Sequence, residues 1–295
     1  MTSVVAWERS VGVLSELVIA SDSRLSGGES WDACAKIFDV GRDDAVLAFA
    51  GDTLRALPLV LQAIATSRTF QGSATRTLDL PHFAGHLNNV LNAVLMEVRS
   101  EAVGLSTTNL SDPKCEFILA GWSWKSSAFR IYRFRYVRSK GAFTCFHAPK
   151  RLPSAIRGPG RGALYTTIGD ASVRLTGSLA RAYNLGEIDG PLGYHPLEYL
   201  YRQALDPGER TVGGPVQVAK VYRSIRVEHF ATRTNGRAAL AGRPRLDYEN
   251  TTLRTLERND AGCWGITKDY QSDAATTTDE MATRLENAIS GEPSI

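Results

Sequence analysis

The chain has 295 residues, is 43% hydrophobic and carries a formal net charge of +3. That is enough for one large domain or two small ones with real cores, and so small a charge gives no default nucleic-acid partner. The four cysteines stand far apart, at 34, 115, 145 and 263, and suit a reduced compartment better than a disulfide framework or a zinc site. The first residues lack the cationic and apolar regions of a signal peptide, and no uncharged apolar run nears the roughly 20 residues of a membrane helix. The expectation is a cytoplasmic protein with neither a membrane nor a nucleic-acid partner.

Residues 3–7 read as a strand, because Val4, Val5 and Trp7 have β character without a helical period. Residues 17–20 form a second strand, with "ERSVGVLSE" as a long hairpin turn. After "SDSRLSGGESWDACA" comes a short strand in "AKIFDV". The turn "GRDD" leads into the apolar strand "AVLAFAG", which ends at Gly51. Four short strands separated by turns predict an antiparallel meander.

Helix follows sheet. In residues 52–68, Leu54, Leu57, Leu61 and Ile64 recur at helical spacing behind an N-cap at Asp52 or Thr53, with Pro58 in or near the first turn. Residues 81–102 form a second amphipathic helix on Phe83, Leu87, Val90, Leu91 and Val94. "CEFILAGW" and "SAFRIYRFRYV" form a hairpin. A basic, Pro- and Gly-rich loop over 149–162 precedes a short strand in "ALYTTIG". A third helix runs from about 170 to 183 and a fourth covers "HPLEYLYRQAL". "GGPVQVAKVYRSIRVEHFATR" supplies two closing strands. The order of strands, helix pair, strands, helix pair and strands predicts an α+β fold with two sheets packed face to face and helices outside.

From about residue 234 the texture changes to "TNGRAALAGRPR" and "QSDAATTTDE". We read residues 1–233 as the domain and 234–295 as a partly ordered appendage, dispensable for the core fold. Its one apolar patch, "CWGI" at 263–266, would dock on the body or on a neighbouring subunit.

The stretch "VIASDSRLSGG…AKIF…AVLAFAGDT" resembles the N-terminal third of proteasome β-type subunits and their bacterial relatives, which are N-terminal-nucleophile hydrolases. "ILAGWSW", "TIGDAS" and "ERTVGGPVQVAKV" resemble later motifs of that family in the right order, over residues 2 to about 225. The resemblance implies a four-layer αββα sandwich of two antiparallel sheets flanked by helix pairs. It also implies Thr2 as nucleophile, Asp22 and Lys36 as its charged partners, and the Gly51 amide as oxyanion donor. No cofactor is called for. The partners it implies are a peptide or unfolded-protein substrate, further copies of the chain in a ring or dimer-based oligomer, and an ATP-dependent unfoldase.

The chemistry stands on its own terms. A free α-amine has a pKa of about 8 and can take the proton of the hydroxyl to which it is tethered. A lysine cation nearby stabilises the alkoxide, and an aspartate holds the lysine. Removal of Met1 before the small Thr2 would expose that amine. We expect Asp22 and Lys36 to sit on neighbouring strands. In the family's supporting shell Asp170 stands where serine is usual, Ser172 matches a second serine, Glu209 replaces aspartate and Val212 replaces serine. Those departures keep an alternative open, an impaired scaffold that binds or assembles; a non-proteolytic amidohydrolase is a third reading.

Two other patterns carry less. His82 and His86 have metal-ligand spacing but no "HExxH" carboxylate and no third ligand. "RIYRFRYVR" mixes cations with aromatics, yet in a strand Arg133 and Arg135 share one face and Tyr132, Phe134 and Tyr136 the other, as in any half-buried strand.

Overall fold

The computed structural model describes residues 2–26, 29–98, 112–148, 164–188, 190–249 and 251–267. The opening strands are β1 (Val4–Val11), β2 (Leu14–Ser21), the short β3 (Leu25–Ser26) and β4 (Ser30–Trp31), β5 (Ile37–Asp39) and β6 (Ala45–Gly51). Then come α1 (Thr53–Thr69), α2 (Gln71–Ala74) and α3 (Leu80–Met96), followed by β7 (Cys115–Ser123), β8 (Ala128–Val137), β9 (Ala142–His147) and β10 (Tyr165–Ile168). After α4 (Ser172–Asn184) and α5 (His195–Leu205) come β11 (Gln217–Tyr222), β12 (Arg226–Thr234), β13 (Arg237–Leu240), β14 (Arg243–Pro244), β15 (Thr255–Arg258) and β16 (Trp264–Ile266). The class is α+β, as expected.

The opening strands do not form the expected meander. β1 and β2 belong to one sheet, ordered β10-β1-β2-β11-β12-β13-β14, whereas β5 and β6 belong to another, ordered β5-β6-β7-β8-β9. Both sheets are antiparallel along these orders, and β15 joins β12 in parallel at residues 231–233. The chain changes sheets between Ser21 and Ile37, where the β3–β4 pair stands apart from both. The expected long turn between β1 and β2 is only two residues, because Val11 pairs Leu14 and the strands run out to meet it. Gly12, at φ +59°, supplies the positive φ that a tight two-residue hairpin needs at its first position.

Three apolar clusters hold these elements. One joins β1 and β2, through Val5, Trp7, Val18 and Ala20, to Leu175 and Leu179 of α4 and Leu197 and Leu200 of α5. A second joins Leu47, Phe49, Phe117 and Leu119 to α1 and α3. A third draws on both sheets: Val4, Ala6, Leu17 and Ile19 with Val46, Ala48, Ile118 and Ala120. The period-2 alternation is visible in β1, where Val4 and Ala6 enter one cluster and Val5 and Trp7 another.

α1 begins as expected, with the Asp52 carboxylate accepting from Leu54 N, and Pro58 does not end it. Its buried face is different from the one predicted. Ala56, Leu59, Val60, Ala63 and Ser67 face inward, while Leu54 is 80% exposed and Leu61 63%. Small residues at 56, 63 and 67 let the helix lie close to the sheet, and this overrides the bulkier Leu54–Leu61 stripe. In α3 the expected face holds, since Phe83, Leu87 and Leu91 are buried; residues 99–102 of that expectation lie outside the described residues, as do 149–162.

The expected boundary at 233/234 falls at the end of β12, and the chain beyond it pairs back onto the same sheet. β13 and β14 extend that sheet through two-residue turns at Asn235–Gly236 and Ala241–Gly242. All four turn residues have positive φ, as type I′ hairpins require. Leu256 and Trp264 enter the cluster with α5, and the Trp264 indole donates to Glu198 of that helix. β13 to β16 therefore pair onto the same sheet as β12 instead of standing apart from it, and residues 268–295 lie outside the described residues.

Candidate active site

Asp22 and Lys36 meet, but not on neighbouring strands. Asp22 follows the end of β2 and Lys36 precedes β5, so the pair bridges the two sheets. Lys36 Nζ lies 3.0 Å from Asp22 Oδ1 and also donates to the Arg24 carbonyl at 2.5 Å. Both side chains are fully buried. The remaining acceptor capacity of Asp22 is used by backbone: Oδ1 accepts from Ser3 N at 3.0 Å, and Oδ2 accepts from Arg24 N at 3.1 Å and Gly213 N at 3.2 Å. Burial pushes the Asp22 carboxyl above its usual range, while Lys36 and the amides oppose that rise. Burial likewise holds the Lys36 ammonium below its usual range, opposed by Asp22. A lysine with so little solvation gives up its proton more readily than an exposed one.

Thr2 lies two residues before Val4, the first residue of β1, whose side chain belongs to the cluster shared by the two sheets. It is fully buried, and its Oγ1 finds no hydrogen-bond partner among the described residues. Buried hydroxyls are nearly always paired, so this one invites explanation. Gly169 packs so tightly on Thr2 that any side chain there would overlap the Thr2 carbonyl. Gly51, at φ +105°, is equally constrained, since a Cβ would overlap the Lys114 carbonyl. Both glycines line a cleft of about 1240 Å³ that also touches Ala50, Asp170, Trp31 and Arg133. Thr2 thus sits directly behind the cleft wall.

The other expected residues divide. Asp170 is exposed and lines the cleft. Glu209 is buried, but its carboxylate accepts from Thr211 N at 2.8 Å, Thr211 Oγ1 at 2.5 Å and Arg174 at 2.5 Å. Val212 is fully buried in the cluster with α4 and α5. Arg133 pairs with Glu116 at 2.8 Å. His86 stacks on Phe70, His82 is exposed, and no group of three or more metal-ligating side chains occurs among the described residues.

Sequence reasoning missed Gln217, the first residue of β11. Its Oε1 accepts from Lys36 N at 3.0 Å, and its Nε2 donates to the Cys34 carbonyl at 2.8 Å, Ser23 Oγ at 2.9 Å and the Asp22 carbonyl at 3.2 Å. The amide orientation is forced, because a flip would set its NH2 against Lys36 N–H and its oxygen against a carbonyl. The available signal was a polar side chain set between the strand-forming Val216 and Val218. Arg24 adds a second brace, with its guanidinium on Asp32 at 2.6 and 2.8 Å and on the carbonyls of Glu209 and Val212. Among the described residues no helix is long and apolar enough to cross a membrane. Comparison with protein-family models and with curated proteins gave no match.

Proposed function

We propose that the chain is an N-terminal-nucleophile hydrolase of the proteasome-like kind, acting on amide bonds in peptides. The observation that carries this reading is the buried Lys36–Asp22 pair, tied through Ser3 N to the residue next to Thr2. The finer four-layer αββα reading draws support from three clusters, two facing helices and one shared by the sheets.

With Met1 removed, Thr2 carries a free α-amine. That amine takes the hydroxyl proton as Oγ1 attacks the substrate carbonyl carbon. The Gly51 amide faces the developing oxyanion, a kind of donor worth about 3 kcal/mol. Collapse expels the leaving amine, which takes the proton from the Thr2 ammonium, and leaves an ester on Oγ1. Water, deprotonated by the same amine, then attacks the ester and restores the threonine. Lys36 stabilises negative charge on Oγ1, and Asp22 holds Lys36. A homo-oligomer supplied by an unfoldase rests on the family resemblance alone, and a cytoplasmic location on the cysteine spacing and the first residues.

A second reading, a scaffold with an impaired site, is favoured by Val212 and Glu209. The first offers no hydroxyl, and the second is committed to Thr211 and Arg174. The test begins with intact mass, to establish a chain starting at Thr2. An epoxyketone probe should then label Thr2, and Thr2→Ala should abolish labelling while keeping the fold. If the correctly processed chain takes no label and cleaves nothing in a broad peptide library, the scaffold reading replaces the hydrolase.

A further inference from the structure

The β13–β14 turn lies far along the chain from Asp22 and Lys36, yet it touches their support directly. Gly242, the second turn residue, has φ +86°. A Cβ there would overlap Ser23 Oγ and come within 2.6 Å of Gln217 Nε2. Ser23 Oγ also donates to the Pro215 carbonyl. The contact is therefore made by bare backbone against two side chains that bind each other. Gln217 in turn holds Lys36 by its amide and the Asp22–Ser23 backbone by its NH2.

The two segments that Gln217 joins come from different sheets, so the strand ladders do not fix their separation. Besides the Lys36–Asp22 contact, the ties between them among the described residues include Lys36 Nζ to the Arg24 carbonyl, Cys34 N to the Ser23 carbonyl at 3.0 Å, the Arg24–Asp32 ion pair at 2.6 Å, and Gln217 itself. A small shift of Gln217 moves one segment relative to the other and changes where Lys36 Nζ stands. We propose that the Ala241–Gly242 turn and Gln217 together form a positioning element for the Asp22–Lys36 pair. The strands after residue 234 are thereby part of the site's architecture, although they touch none of the reacting atoms. This goes beyond the hydrolase reading in naming which part of the chain sets the geometry, and rests on that reading only for its catalytic consequence.

The fold supplies a matched control. Gly236 is the second residue of the neighbouring β12–β13 turn, at φ +76°, and a Cβ there meets nothing within 4 Å. Gly236→Ala and Gly242→Ala therefore impose similar backbone strain, but only the second presses on Ser23 and Gln217. Two readouts are taken on the full chain: titration of Lys36 Nζ by NMR, and the rate and pH profile of epoxyketone labelling. Gly242→Ala should move the Lys36 midpoint upward, toward the ordinary lysine range, as the loosened site admits water. It should slow labelling by about 10²-fold, the scale of an ångström's misplacement. Gly236→Ala should change neither. Where Gly242→Ala fails to fold, Gln217→Met is read in its place, with the same upward shift expected. If both glycine variants move Lys36 equally, or if neither Gly242→Ala nor Gln217→Met moves it, the proposal is wrong. The Lys36 titration decides this even if the native chain takes no label, an outcome that overturns the hydrolase reading separately.

Discussion

Asp22→Asn is the sharpest probe of the buried pair. The substitution preserves shape and removes one charge. Asp22 accepts four hydrogen bonds, two on each carboxylate oxygen. An asparagine keeps one oxygen, so whichever way its amide turns, its NH2 faces two donors. Oriented toward Ser3 N and Lys36 it strands Arg24 N and Gly213 N; oriented the other way it strands Ser3 N and the ammonium. Removing one partner from a buried ion pair costs about 3–5 kcal/mol. At roughly 2–4 °C per kcal/mol for a chain of this size class, the midpoint should fall by about 10 °C. Lys36→Met should cost a similar amount, because it leaves the buried carboxylate without its cation. The double variant should cost less than the sum by about 2 kcal/mol, since residues in one network couple by roughly 0.5–3 kcal/mol. Urea unfolding followed by tryptophan fluorescence measures all four corners of the cycle. Additivity within about 0.5 kcal/mol would mean that the two groups do not act as one unit, and the electrostatic account of the site would fail.

Other outcomes follow from the same contacts. Glu198 is buried, and burial alone would raise its carboxyl, but Arg258, Arg202 and Trp264 outweigh this and hold it below the usual range. Its contribution to stability is therefore present above the unfolded carboxylate range, near 4.5, and is lost as pH falls through the lower folded value; Glu198→Gln should flatten the acid limb of a stability–pH curve, and an unchanged limb would contradict the assignment. Trp264→Ala should cost about 3–5 kcal/mol by urea unfolding, whereas a change under about 0.5 kcal/mol would mean that the segment is not docked. Truncation after Thr234 should give insoluble or non-cooperatively melting material, because it removes β13–β16 together with Arg258 and Trp264; a cooperative melt near that of the full chain would restore the appendage reading. Gly51→Ala should destabilise through overlap with the Lys114 carbonyl as well as positive φ, a loss measurable by thermal unfolding.

Asp22, Lys36 and Gly51 stand out through the family resemblance, and local patterns place each at the end or start of a strand with an apolar run beside it. The partnership of strands could not be read in this way. Alternation tells which residues share a face, but nothing in β5 says that its neighbour is β6 rather than β2, and so the meander was the natural expectation. α1 misled for a related reason: its largest side chains form a helical stripe, while the sheet accepted the face with alanines. The C-terminal strands were missed because segments of two to four residues carry no usable period. Their turns did carry a signal, since Asn235–Gly236 is the dipeptide most strongly associated with a tight hairpin. Gln217 was hidden by the reverse effect, as a polar residue in an apolar strand is noticed only when its partners are known.

The β1–β2 hairpin acts as a ruler. Eight successive residue pairs run from Val4–Ser21 to Val11–Leu14, and the two-residue turn leaves no slack at the far end. In a strand, sliding by one residue carries every side chain to the opposite face. The turn at Gly12 therefore helps decide, from the far end of β1, that Val4 and Ala6 face the second sheet while Val5 and Trp7 face α4 and α5. An even-numbered insertion there would lengthen the ruler, whereas an odd one would turn the N-terminal residue around unless the β1–β10 ladder resisted. The tip that sets this register is itself in solvent, with Val13 97% exposed. The register of the strand that begins beside the fully buried Thr2 is thus set at one of the most exposed points of the sheet.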